Sequence, residues 1–227
     1  MRERFLRIKN NEYVKIVTPS HYLKNILINN TIDKNIIHVI PNGIDVNYYN
    51  STSLPRNKAI SYLGGENVLK GFIEVLLIYK IIARKNRNVK LYIAGTHHKI
   101  ERKIGSNIIY LGYLNEEGTK MLYQKSDVIL VPSLLPEAFS LVTAEAMASA
   151  RPVVAYKSGA INELITDGYN GYLIDIHDID NFAEKVLYLI DNPDIAEKMG
   201  INARETIVKN FSLEIFYGKW KDLLSKI

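Results

Sequence analysis

Short β-branched and apolar runs alternate with segments of helical period along most of this chain. The runs Val14–Thr18, Ile36–Ile40, Ala59–Leu63, Val89–Ala94, Ile108–Leu111, Val128–Val131, Val153–Ala155 and Tyr172–Ile174 read as strands. Between them, Tyr22–Asn29, Lys70–Arg84, Glu116–Lys125, Leu141–Ser149, Ala160–Thr166 and Asn181–Asp191 read as helices. Such alternation predicts an α/β fold, a Rossmann-like parallel sheet with helices on both faces. Val128-Ile129-Leu130-Val131 is apolar at every position, as a central strand covered on both faces requires. From Pro193 onward only helical patterns remain. Ile195, Met199, Ala203, Ile207 and Phe211 form one stripe at intervals of four, and Ser212 stands as an N-cap before a last helix carrying Phe216 and Trp220.

The first 45 residues stand apart. Val14–Thr18, Pro19-Ser20 and the following helix make one βα unit, and Pro41-Asn42-Gly43-Ile44-Asp45 makes a sharp turn. Asn50–Asn57 reads as a linker-like loop before the main sheet starts. This divides the chain into residues 1–45 and a larger unit, 46–227.

Composition narrows the picture. A chain of 227 residues with 47% hydrophobic residues buries a substantial core. With no cysteine, disulfides and thiolate metal sites are excluded. No apolar run is long enough to span a bilayer, and the basic N-terminus lacks the apolar core of a signal peptide, so a cytoplasmic location is expected. The formal charge of +5 fits a solvated lysine-rich face, or attraction to anionic ligands or an anionic membrane surface. The basic residues are scattered without an aromatic-basic module, which argues against nucleic acid.

The most informative stretch is 136–148, with Glu137 and Glu145 eight positions apart. Glu137 falls in the loop after the Val128–Val131 strand and Glu145 in the first turns of the next helix. In an open α/β sheet, ligands bind in that crevice at the carboxyl ends of the strands. The helix start there offers free N–H groups suited to phosphate. A second stretch, Tyr62-Leu63-Gly64-Gly65-Glu66-Asn67-Val68-Leu69-Lys70-Gly71, joins a strand, a glycine turn and a lysine near a helix start. Without further context, each has an ordinary structural reading, as acids at a helix start and as a βα turn.

Taken together, residues 126–155 resemble the donor-sugar motif of the retaining glycosyltransferases of family 4, which have a GT-B fold of two Rossmann-like domains. The likeness lies in the strand ending Pro132-Ser133, Pro136-Glu137, the E-x7-E spacing, Glu145-Ala146-Met147-Ala148 and Arg151-Pro152-Val153-Val154-Ala155. The glycine turn with Lys70, the Pro41–Asp45 loop, Ile108–Leu114, Gly159–Ile165 and the tail extend it from Val14 to Leu224.

The resemblance implies a donor-binding half that takes a nucleotide-diphospho-sugar. Glu137 would contact the transferred sugar, Lys70 the diphosphate and Glu145 the ribose hydroxyls, and the backbone of Ala138, Phe139, Ser140, Leu141 and Val142 would face sugar and phosphates. Gly64 and Gly65 would let the first loop approach the ligand. Gly112 and Tyr113 would cradle the base, with the Tyr113 ring offered for stacking.

The resemblance further implies no cofactor and no metal. The adjacent pair His97-His98 lacks the companions of a metal site. The chain departs from the family where Gly65 replaces the usual Arg, a loss of ~2–4 kcal/mol of charge stabilisation if nothing replaces it. Arg151 is one candidate to do so. Ser140 and Ala150 stand where the family usually has Gly.

The acceptor half of such an enzyme is not visible. Three explanations stand open: a fragment, a split gene with a separate acceptor-domain chain, or a nucleotide-sugar-binding module without transfer activity. A dinucleotide-dependent enzyme is disfavoured by the lack of G-x-G-x-x-G. A sugar-nucleotide epimerase fits the Glu137–Glu145 block less well than a transferase.

Overall fold

The computed structural model describes residues 14–96, the backbone of 102–104, and 107–226; His97 and His98 lie outside this range. The elements in chain order are β1 (Ile16–Thr18), α1 (His21–Asn29), β2 (Ile37–Val39), β3 (Ala59–Tyr62), α2 (Phe72–Lys85), β4 (Lys90–Ala94) and β5 (Arg102–Ile104). They continue with β6 (Ile108–Gly112), α3 (Glu116–Lys125), β7 (Val128–Val131), α4 (Leu141–Ala148) and β8 (Val153–Tyr156). The last are α5 (Ile161–Leu164), β9 (Tyr172–Ile174), α6 (Ile179–Asp191), α7 (Pro193–Phe211) and α8 (Leu213–Leu224).

The main sheet has the order β5-β6-β4-β3-β7-β8-β9. Its pairs are parallel except for β5, a short basic strand antiparallel to β6 that the sequence pattern did not announce. Period-two alternation assigns the faces. Val128, Leu130, Val154 and Tyr156 enter one core with α2 and α6. Ile129, Val131, Val153 and Ala155 enter the other with α4 and α7. Each fully buried aliphatic side chain of β7 contributes about 2 kcal/mol by leaving water.

Consecutive strands run outward from β3 in one direction through β4 and β6, and in the other through β7, β8 and β9. The order reverses between β3 and β7, which makes their carboxyl ends the switch point where a crevice opens.

β1 and β2 form a separate two-stranded parallel sheet with a small core of Ile32, Ile36 and Ile37. The Pro41–Asp45 loop joins it to the tail. Leu213 N donates to Ile44 O at 3.0 Å, and a Cβ on Gly43 would meet Phe216 Cβ at 2.7 Å.

Three expectations change. The helix expected from Lys70 begins at Phe72, because Gly71 turns left-handed at φ 88° after a 3-10 turn, Val68–Lys70. The tail stripe is Ala196, Met199, Gly200, Ala203 and Ile207, with Ile195 exposed; Gly200 continues α7 and lets it meet Ala150 O, which a Cβ would approach to 2.2 Å. The 50–57 loop is pinned rather than linker-like. Asp127 accepts from Arg56 N, Asn57 N and Ala59 N at 2.7, 3.1 and 2.8 Å, and Arg151 holds Thr52 and Ser53. Among the described residues, no helix is long and apolar enough to cross a membrane.

Candidate functional site

Two loops build the site, one after β3 and one after β7. Asn67 Oδ1 accepts from Leu69 N and Lys70 N, closing the 3-10 turn that carries Lys70. Leu69 O accepts from Leu134 N at 3.0 Å and Leu135 N at 3.2 Å, tying this turn to the β7 loop. Gly71 is required at the same junction, since a Cβ there would stand 1.9 Å from Pro132 O.

The β7 loop is fixed in turn from β8. Ser158 Oγ donates to Leu135 O at 2.6 Å, and Ala160 N donates to Glu137 O at 2.8 Å. Gly159 leaves no room for a Cβ beside Glu137, whose backbone oxygen would lie 2.4 Å away. Two residues 67 positions apart are thereby brought together: Lys70 Nζ donates to Glu137 Oε1 at 2.7 Å. Ser133 Oγ donates to the same oxygen at 2.9 Å. The Glu137 side chain is 15% exposed and that of Lys70 41%, so the pair sits at a boundary with its cation toward solvent.

The pair lines a cavity of about 600 Å³. Gly64, Tyr113, Ala138, Phe139, Ser140, Leu141 and Val142 line it with them. Pro19 and Asn42 close it from the N-terminal unit. Tyr113 is 80% exposed at its edge, and Phe139 turns mostly inward against Phe211. α4 starts at this wall without a side-chain cap. Its first-turn N–H groups, at Leu141 and Val142, thus favour an anion.

Ser140 precedes α4 at φ 73°, and its hydroxyl is 2.8 Å from Thr143 Oγ1. A residue with a side chain occupies a left-handed position there at a cost of ~1–2 kcal/mol.

Gly65 and Gly112 are not among the cavity-lining residues. They belong to a backbone ladder across the strand ends. Gly65 N donates to Ala94 O at 2.9 Å and Gly95 N to Gly112 O at 2.8 Å, and Gly65, Gly95 and Gly112 all have positive φ. A Cβ on Gly65 would stand 2.3 Å from Gly95 O.

Glu145 lies one turn further along α4 than Leu141 and Val142 and is also outside the cavity lining. Tyr123 OH donates to its Oε2 at 3.0 Å, and the Tyr49 phenol stands beside the same carboxylate. Burial raises the Glu145 carboxyl above the ordinary carboxylate range; the two phenols oppose this and Glu116 adds to it.

Arg151 does not serve as the replacement cation. It is fully buried, and its guanidinium donates to carbonyl oxygens of Tyr123 at 2.8 Å, Thr52 at 3.0 Å and Ser53 at 3.2 Å, away from the cavity. Lys70 is the one Lys or Arg among the described residues that line the cavity. Among the described residues, no group of three or more His, Asp or Glu is placed to hold a metal ion.

Sequence reasoning gave no role to Ser133, Asn67, Tyr123 or Tyr49. Ser133 had a signal in its place at the strand exit and Asn67 in its capping position before Lys70. Tyr123 reads only as a buried position of α3.

Residues 53–206 match the family described as glycosyl transferases group 1. The chain belongs to the glycosyl transferases group 1 family. It is 31% identical over 212 residues to an uncharacterized glycosyltransferase of Methanocaldococcus jannaschii, covering 88% of this chain and 56% of that protein. It is 30% identical over 187 residues to trehalose synthase of Thermococcus litoralis, covering 75% of this chain and 45% of the relative. The group 1 chain thus spans about half the length of these curated relatives.

The Anabaena protein HepE in complex with UDP-glucose superimposes with a TM-score of 0.81 at 21% identity, over 94% of this chain and 64% of that one. At that identity the likeness speaks for the shared fold.

Proposed function

We propose that this chain is the donor-binding half of a GT-B glycosyltransferase of family 4. It binds a nucleotide-diphospho-sugar and, with an acceptor-binding half, transfers the sugar with retention at the anomeric carbon. The observation that carries this reading is the Lys70–Glu137 pair, held at 2.7 Å in the cavity at the sheet's switch point. In transfer, the bond from the anomeric carbon to the phosphate oxygen breaks with both electrons passing to the diphosphate, an acceptor hydroxyl oxygen bonds to the anomeric carbon, and its proton passes to the departing phosphate oxygen. Negative charge grows there, where a fixed cation and helix N–H groups stabilise the transition state more than the ground state. Lys70 and the start of α4 are the groups available for this.

Glu137 is released from Lys70 to accept hydrogen bonds from the sugar hydroxyls, and Glu145 accepts from the ribose diol. The likeness to a fold that carries UDP-glucose supports a nucleotide-sugar donor. In this reading residues 1–45, with their own small sheet, belong to the acceptor-side domain.

A second reading, a donor-binding module without transfer, is favoured by Gly65, which leaves the diphosphate one cation short. Titration calorimetry with a panel of UDP- and GDP-sugars tests both. Binding that Lys70→Ala and Glu137→Gln each weaken by tenfold or more supports the donor site. No binding by any member of the panel refutes it. Nucleotide release on adding an acceptor half separates transfer from binding alone.

A further inference from the structure

Two buried phenols converge on one carboxylate behind the cavity. Tyr123 comes from α3 and is fully buried; Tyr49 comes from the pinned segment between the two sheets and is 6% exposed. Their rings meet edge to face with centroids 6.0 Å apart, so each limits the other's rotation. The Tyr123 hydroxyl reaches Glu145 Oε2 at 3.0 Å, while no hydrogen bond joins Oε1 to a described residue. Segment 46–49 is itself fixed: Arg204 donates to Tyr49 O at 2.8 Å and Val46 O at 3.0 Å. Glu145 Oε2 is therefore fixed by Tyr123, and the Tyr49 phenol stands beside the same carboxylate.

A carboxylate that binds a vicinal diol must keep its plane, and a glutamate with three free torsions does so only when something holds it. We propose that Tyr123, backed by Tyr49, is a positioning residue for Glu145, fixing one carboxylate oxygen so that the other faces the ribose diol of a bound nucleotide. The inference rests on the reading of Glu145 given above.

The groups facing this carboxylate are Tyr123 and Glu116 from α3 and Tyr49 from the 46–58 segment. Each phenol stabilises the ionised form, so removing one moves the Glu145 midpoint further upward.

The test uses the whole chain with Tyr123→Phe, which keeps the buried ring, Glu145→Gln and the double variant. The carboxyl carbon of Glu145 is followed by NMR against pH in the free protein. UDP and GDP affinities are measured by calorimetry at pH 7.

The midpoint is expected to rise in Tyr123→Phe. The preferred nucleotide is expected to bind that variant about five- to tenfold more weakly, and the double variant no more weakly than Glu145→Gln alone. An unchanged midpoint overturns the inference whether or not either nucleotide binds. So do native affinity in Tyr123→Phe and losses that multiply in the double variant. If Glu145→Gln binds both nucleotides as the native protein does, the reading of Glu145 fails, whereas a loss confined to Glu145→Gln refutes only the role of Tyr123.

Discussion

Arg151→Met tests the claim that this arginine is a structural hub and not part of the diphosphate site. In the folded chain the guanidinium donates to five carbonyl oxygens, of Tyr123, Thr52, Ala150, Ser53 and Gln124. It also donates to the Thr52 hydroxyl. Burial holds its pKa down to about 10, so it carries its charge at pH 7 against the carbonyl ends of α3 and α4. Met fills much of the volume but donates nothing.

Tyr123 O keeps a second donor, Ser126 N at 3.1 Å. Thr52 O, Ser53 O, Gln124 O and Ala150 O are left to find water, at ~1–2 kcal/mol for each that cannot. Removing a buried charge returns some desolvation energy. The net expectation is a loss of ~2–4 kcal/mol, a large part of the ~5–15 kcal/mol that folded domains possess. In urea denaturation followed by circular dichroism, with a slope of about 3 kcal/mol per M, the midpoint falls by about 1 M. The nucleotide affinity of the molecules that remain folded should be native. A midpoint shift under ~0.2 M, or a tenfold affinity loss at unchanged stability, would refute the assignment and return Arg151 to the ligand.

The remaining predictions concern backbone conformation and charge. Gly65→Arg restores the family's usual residue, yet φ 60° and the Gly95 carbonyl oppose any side chain. It should lower stability by ~2 kcal/mol or more in thermal melts and bring no gain in nucleotide affinity, and a gain would show that the loop opens at little cost. Ala150→Gly at φ 57° relieves ~1–2 kcal/mol of left-handed strain and adds ~0.4–1 kcal/mol of unfolded-chain entropy. The urea midpoint should therefore rise slightly, and a fall would contradict this balance. Glu145→Gln carries a pH signature. Because the folded pKa is raised, the carboxyl's contribution to stability is complete below its ordinary value near 4.5 and is lost as pH rises through the folded value. The variant's stability relative to native should be higher at pH 7 than at pH 4, and the reverse order would mean that the folded pKa is depressed.

The parallel sheet was legible because its strands are short, apolar and separated by helical patterns, and β7 is apolar at every position. β5 was not, because Arg102-Lys103-Ile104 has no apolar alternation and owes its place to pairing with β6. The start of α2 was misread because Lys70 suits a helix, whereas Gly71 and the close approach of Pro132 O decide the turn. Tertiary packing overrode local propensity there, as it did at Ile195, whose spacing fits the tail stripe but whose side chain faces solvent. Glu137 and Glu145 stand out in the sequence through the resemblance to the donor-sugar motif, since acids near a helix start after a buried strand have an ordinary structural reading by themselves. What each touches could not be chosen. The partners Lys70 and Tyr123 are 67 and 22 positions away, and only the β3–β7 and α3–α4 packing selects them.

The glycines at the strand ends show how such packing changes the meaning of a residue. Gly65 lies three residues beyond β3, Gly95 directly after β4 and Gly112 at the end of β6, and each alone suggests room for a ligand. Gly95 lines the cavity, but the ladder through Ala94 O and Gly112 O spends the room at Gly65 and Gly112 on joining three loops, and at Gly65 it leaves no space for the usual arginine. The substitution at Gly65 is therefore a feature of a closed loop, which a point change cannot reverse without moving Gly95. With that position closed and Arg151 committed to the core, positive charge at the cavity is concentrated in Lys70 and the uncapped start of α4. Lys70 is also the group that restrains Glu137. Under the proposed function, a donor that draws Lys70 toward its diphosphate would free the Glu137 carboxylate to accept from the sugar, and the 2.7 Å ion pair would couple recognition of the two ends of the donor.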